Sequence, residues 1–281
     1  MTLSIRQKVR LPILRLSLGI CTVICMQTAH ARAGAEWCET RFDELQKPFS
    51  EAVTPDYKKL LAQWKQLAPT CIGTGVYEGR LVGLYLRLHK TGDAEAILQA
   101  IKDPTVLSSP VVKAARLHTS FMKLALHAGT TIDGFRALEP QYLIFLKEEP
   151  NWEGSYELVS GYELSIGNAD KAIRYGEQAQ RMLPDAWVNY RTLAIAYSML
   201  GRHTEAVEAG DRAQSLNKVV SADTEFMFAL AKSYAAIGDK ETLKAILALV
   251  VHYHPDIRKR PDFVETMKFI HNKLADETPK R

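Results

Sequence analysis

The chain has 281 residues, 47% of them hydrophobic and 24% charged, a balance that excludes disordered, collagen-like and low-complexity classes. It suits one extended repeat domain or two compact ones. The formal charge of +4 belongs to the first 33 residues: Arg6, Lys8, Arg10, Arg15 and Arg32 lie there without an acid, so 31 of the 36 basic residues remain against 32 acidic ones, a net of −1. That near-neutral remainder gives no electrostatic reason to expect nucleic acid or an anionic membrane as a partner.

Residues 1–33 have the layout of a secretory signal peptide. A basic front is followed by an apolar run over 16–26 (LSLGICTVICM). Ala29-His30-Ala31 and Ala31-Arg32-Ala33 then supply small residues at cleavage-site spacing. Cleavage is expected after Ala31 or Ala33. The run is short for a membrane span, and retention as an N-terminal anchor is the alternative. Cys21 and Cys25 follow isoleucines rather than small residues, which argues against lipidation. No later segment is apolar for long enough to cross a bilayer. The expected destination is the periplasm, with an extracellular one as the alternative. Two cysteines remain beyond the leader, Cys38 and Cys71. An even pair in an exported chain predicts a disulfide, here within a helical segment over 34–75; two free thiols are the other possibility.

Next come two leading helices, 36–50 and 55–68, separated by Thr54-Pro55. Two degenerate helix pairs are predicted over 76–150. The first is Val76–Lys90 and Ala94–Lys102 about a Gly92-Asp93 turn. The second is Val111–Ala128 and Ile132–Lys147 about Gly129. Over 151–257 the periodicity is explicit. Gly167 and Gly201 are 34 residues apart, as are Ala172 and Ala206, and Ala179 and Ala213. Gly238 and Pro255 repeat the spacing of Gly167 and Pro184 after three inserted residues. Each unit opens with a helix whose apolar residues recur at three and four: Tyr156–Ile166, Trp187–Leu200 and Glu225–Ile237. A glycine turn follows, then a helix with alanines seven apart, which lets a neighbouring helix approach closely. Pro261–Leu274 reads as a capping helix within a C-terminal segment over 258–281.

These residues resemble the tetratricopeptide repeat family. Tyr156, Gly167, Ala172, Ala179 and Pro184 carry the likeness in one unit. Tyr190, Leu193, Ala194, Tyr197, Gly201, Ala206 and Ala213 carry it in the next, and Gly238 and Pro255 in the third. Three departures stand out. Gly176 and Gly210 occupy places where the family usually has an aromatic, Lys218 replaces a proline, and Leu243 and Val250 replace alanines. The resemblance implies an all-α, right-handed α-solenoid of stacked antiparallel helix pairs, and a non-enzymatic scaffold that binds a protein or peptide in its concave groove. Mapping by the turn glycines places Arg116, Thr119, Lys123, His127, Glu157, Gly161, Arg191, Ile195, Ser198, Phe228 and Lys232 on that face. Arg116, Lys123, Arg191 and Lys232 would receive an acidic or carboxylate-ended peptide, with Ile195 and Phe228 giving apolar contact. A solvated helix face is the plain alternative.

Catalytic and metal signatures are weak. His252 and His254 are two apart, which does not put them on one helix face, and no Cys-His or acidic set completes a metal site. Gly73-Thr74-Gly75 lacks the flanking pattern of a phosphate cradle. No metal, cofactor or catalytic residue is expected. A small-ligand binder or enzyme using the concavity as a pocket remains the alternative, and self-association through a terminal helix is a third reading.

Overall fold

The computed structural model describes residues 34–49, 51–52 and 55–276. The leader and its expected cleavage sites lie outside them. The chain divides into two compact units. One holds the described residues up to Gln46 together with Tyr57–Val112; the other holds Lys47–Asp56 and the chain from Lys113 onward. Among the described residues there are helices and turns and no strand.

The first unit contains α1 (residues 34–49) as far as Gln46, α2 (Tyr57–Lys65), α3 (Ala68–Cys71), α4 (Val76–Arg87), α5 (Thr91–Ala100) and α6 (Pro104–Leu107). Its core forms around Phe42, whose ring meets Trp64 edge-on at 4.9 Å and lies 6.1 Å from Tyr77. Cys38 and Cys71 are joined in a disulfide with Cα atoms 5.8 Å apart, and both are fully buried. The bridge fastens α1 to α3. Arg80 on α4 adds ion pairs to Glu39 and Asp43 of α1, at 3.2 and 2.9 Å. The turn between α4 and α5 is not where glycine suggests. His89 takes the left-handed backbone, φ 56°, and Lys90 N–H reaches back to the Tyr85 carbonyl at 2.9 Å. Gly92 is inside the first turn of α5. Histidine tolerates this conformation better than branched residues do, so the turn closes before the glycine is reached.

The second unit continues α7 (Pro110–Leu126) and then departs from expectation. In place of one helix over 132–147 there are two, α8 (Ile132–Arg136) and α9 (Glu139–Glu148). Pro140 lacks the amide that a continuous helix needs and sits instead in the first turn of α9. The three regular pairs follow: α10 (Ser155–Ser165) with α11 (Ala169–Met182), α12 (Trp187–Met199) with α13 (His203–Leu216), and α14 (Thr224–Ile237) with α15 (Lys240–Tyr253). All three turns close in the same way. Gly167, Gly201 and Gly238 have φ of 81, 71 and 81°, and Asn168, Arg202 and Asp239 each donate an N–H back across the turn to the carbonyls of Glu163, Tyr197 and Tyr234. The insertion is a short 3-10 turn, Lys218–Ala222.

Ala172, Ala179, Ala206 and Ala213 are fully buried at the helix contacts, as the small-residue spacing demands. A polar rung repeats as well. Tyr197 donates its hydroxyl to Glu177 at 3.1 Å, and Tyr234 donates to Asp211 at 2.8 Å, so each pair is pinned to the second helix of the one before. The second unit is thus an all-α solenoid. Its last helix, α16 (Pro261–Asp276), packs on α14, with Phe263 6.1 Å from Phe228 and Phe269 6.3 Å from His203.

Candidate functional site: the cleft between the last pair and its capping helix

The site arises from one change in the repeat. On α11 and α13, Gly176 and Gly210 lie under leucines of the following first helices. A Cβ at Gly176 would stand 3.0 Å from Leu193 Cδ2, and one at Gly210 would stand 2.3 Å from Leu230 Cδ2. Here the missing side chain is the socket for the neighbour's leucine, which is why no aromatic stands there. On α15 the same place in the repeat holds Leu247, so the socket is filled. Trp187, Thr224 and Pro261 open α12, α14 and α16 at intervals of 37 residues, so the α16 residue in step with Leu193 and Leu230 is Met267, which is half-buried where Leu230 is enclosed. α16 packs on α14 as α14 packs on α12, whereas α15 and α16 hardly meet.

What remains is an open cleft of about 670 Å³ lined by Leu247, Ala248, Val251, His252, Arg258, Phe263 and Met267. Its walls are aliphatic, aromatic and thioether; its polar groups are His252 and Arg258. Lys259 and Arg260 are engaged by Asp256 and Asp262. Arg258 has no ion pair among the described residues. His252 lies against the Tyr253 ring, centroids 5.2 Å apart. His254 turns away and donates from Nε2 to the Ala222 carbonyl at 2.7 Å, anchoring α15 to the inserted turn. The two histidines thus serve different neighbours. Among the described residues no three His, Cys, Asp or Glu side chains come together as a metal site.

The concave set is redistributed by packing. Ile195 and Phe228 are 3 and 5% exposed, part of the solenoid core rather than its surface. Thr119 is buried with its hydroxyl on the Ala115 carbonyl, and Ser198 donates to the Ala229 carbonyl at 3.0 Å. Arg191 is occupied: its Nε donates to Asp223 at 2.8 Å, and the guanidinium reaches Glu225 at 3.0 Å. It clamps the acidic start of α14 and is not a vacant cation. The reason is geometric: a first helix that faces the concavity also borders the next first helix, and the turn glycines do not separate the two faces. Arg116 and Lys123 on α7 and His127 just beyond it are exposed, and Glu157, Gly161 and Lys232 are half-buried.

Other polar groups of interest are built into junctions. Glu163 is fully buried, accepts from Asn168 at 2.8 Å and stands 3.9 Å from the Lys171 ammonium, which also pairs with Glu139. Burial pushes its carboxyl above the usual range, against the pull of Asn168 and Lys171. The Ser233 hydroxyl gives its proton to the Ala229 carbonyl, so His203 Nδ1 donates to Ser233 Oγ at 3.2 Å. Burial, and then nearby Lys273, lower the pKa of that imidazole. Neither group lines the cleft. The Gly73-Thr74-Gly75 loop does bind an anion, but an internal one: Gly73 and Gly75 N–H groups donate to the Glu78 carboxylate at 2.6 and 2.9 Å.

Fold and site together define the class: an all-α solenoid of antiparallel helix pairs with an apolar cleft at its last junction. No protein-family model and no curated protein matches the chain. Among solved structures it is similar to TTC0263, a thermophilic TPR protein of Thermus thermophilus, at 17% identity and a TM-score of 0.44 over 72% of this chain and 99% of that one. It is also similar to YrrB, a TPR protein with an unusual peptide-binding site, at 11% identity and a TM-score of 0.45 over 79 and 100%. The C-terminal part of a TPR repeat-containing protein from Cytophaga hutchinsonii is similar at 13% identity and a TM-score of 0.43 over 88 and 90%.

Proposed function

We propose that the protein is a non-enzymatic interaction scaffold of the cell envelope that holds a protein or peptide partner at the cleft between α15 and α16. The observation that carries this reading is the filled socket at Leu247, with apolar surface uncovered at one defined place beside Arg258, which has no ion pair among the described residues. Clustered apolar surface with a polar rim is the ordinary signature of a docking site. Work outside the cytoplasm is supported by the buried Cys38–Cys71 bridge and by the leader sequence. No helix among the described residues is long and apolar enough to cross a membrane. The accessible residues of the expected concave face, Arg116, Lys123, His127 and Lys232, form the competing surface, suited to an acidic stretch, and the test separates the two.

Affinity capture from envelope extract tests this. The full chain is compared with a Val251→Glu/Met267→Glu variant and an Arg116→Glu/Lys232→Glu variant. The expected result is a partner kept by the first and third and lost by the second. The same proteins retained by all three, or none retained by the unaltered chain, would contradict the assignment.

A further inference from the structure

The two upstream junctions show what chemistry fits this place. At each, a leucine on an incoming α-helix enters against the preceding second helix: Leu193 on Gly176, Leu230 on Gly210. The helix that carries Leu230 also opens with acids, and an arginine grips them. Arg191 holds Asp223 at 2.8 Å and Glu225 at 3.0 Å. Acids belong at the start of a helix because its amide dipoles favour them there. At the third junction the parts stand unassembled. Met267 of α16, in step with those leucines, is only half-buried, apolar walls line the cleft, and Arg258 beside them has no ion pair among the described residues.

We propose that the cleft receives an amphipathic α-helix from a partner protein, its aliphatic ridge against Leu247, Val251 and Met267 and its acidic first turn at Arg258. The inference rests on the cleft being the protein's docking site. Met267 can adjust to ridges of different shape, because a thioether chain re-packs at little cost. Arg258 selects among them by charge and sets which end of the helix lies at the α15–α16 connection.

The probe is a fluorescein-labelled synthetic peptide of this chain's residues 223–237, DTEFMFALAKSYAAI, which carries Asp223, Glu225 and the Leu230 ridge. It is titrated against the full chain and followed by fluorescence anisotropy. Binding is expected, weakened at least about tenfold by Val251→Glu and about fivefold by Arg258→Glu, the latter also flattening the salt dependence. A peptide with Leu230→Asp should not bind. Ala248 is exposed at the cleft edge, so Ala248→Glu keeps the test sound should Val251→Glu unfold the chain. Hydrogen exchange should slow in α15 and α16 on binding. Equal affinity for the unaltered chain and the cleft variants, or no binding, would overturn the helical occupant. If the peptide is inert while the captured partner is still lost on Val251→Glu/Met267→Glu, the docking site stands and only the helix is wrong. Palmitate protecting the same residues with the peptide inert would assign the cleft to a lipid acid instead.

Discussion

A methyl group added at Gly210 would stand 2.3 Å from Leu230 Cδ2, too close for the packed helices to accommodate without a shift. Gly210→Ala should therefore lower stability by about 1–3 kcal/mol, the usual cost of overpacking, read as a shift of the urea midpoint. Gly176→Ala, with its nearest contact at 3.0 Å, should cost less. Glu163 makes a second single-residue case. Its carboxyl is held above the ordinary range by burial, so the folded chain binds its proton more tightly than the unfolded chain does. The resulting stability is fully present below the unfolded carboxylate pKa and is lost as pH rises through the folded one. Glu163→Gln removes that titration. Urea midpoints on both sides of this window should fall with pH more steeply for the parent chain than for the variant; parallel slopes would refute the assignment. The sequence marks Gly176 and Gly210 as departures from the family pattern but gives no reason for them. The reason is a leucine on another helix, reached only when the pairs stack.

The regular helices are legible because each carries its own stop. Gly167 and Gly201, 34 residues apart, and Gly238, set back by the three inserted residues, end first helices as the repeat predicts. Elements without such stops are harder to read: the α4–α5 turn uses His89 and not Gly92, and Pro140 splits α8 from α9. Arg191 belongs to this scale too. It joins α12 to the start of α14 and is only 20% exposed, whereas Glu225 is 63% exposed, so water discounts that half of the clamp. Arg191→Ala should cost about 1–2 kcal/mol of stability while leaving partner capture intact. Lost capture in a fully folded variant would return Arg191 to the binding surface. The disulfide closes a separation of 33 residues. Loop-closure entropy puts its contribution at about 3–4 kcal/mol, so a Cys38→Ser/Cys71→Ser variant should unfold at clearly lower urea. Denatured without reductant, the parent chain should show neither of these two thiols to a thiol reagent.

At the scale of the whole molecule, the repeat architecture follows from periodicity, and the proposed binding site follows from its interruption. The sequence already holds the interruption: Leu243, Leu247 and Val250 stand where the earlier pairs have alanine, glycine and alanine. What it does not hold is where the capping helix goes. That depends on α16 choosing Phe228 on α14 as its support, a contact between residues far apart in the chain. For the same reason the concave face could be drawn from the turn glycines, yet Ile195 and Phe228 could not be known to lie inside. The most direct measurement is photo-crosslinking in the living cell envelope, with a benzophenone side chain placed at Met267 in one strain and at Lys232 in another. One defined protein adduct at Met267, with little or none at Lys232, is the expected result. Adducts at Lys232 alone, or none at either position, would contradict a scaffold that works through the cleft between α15 and α16.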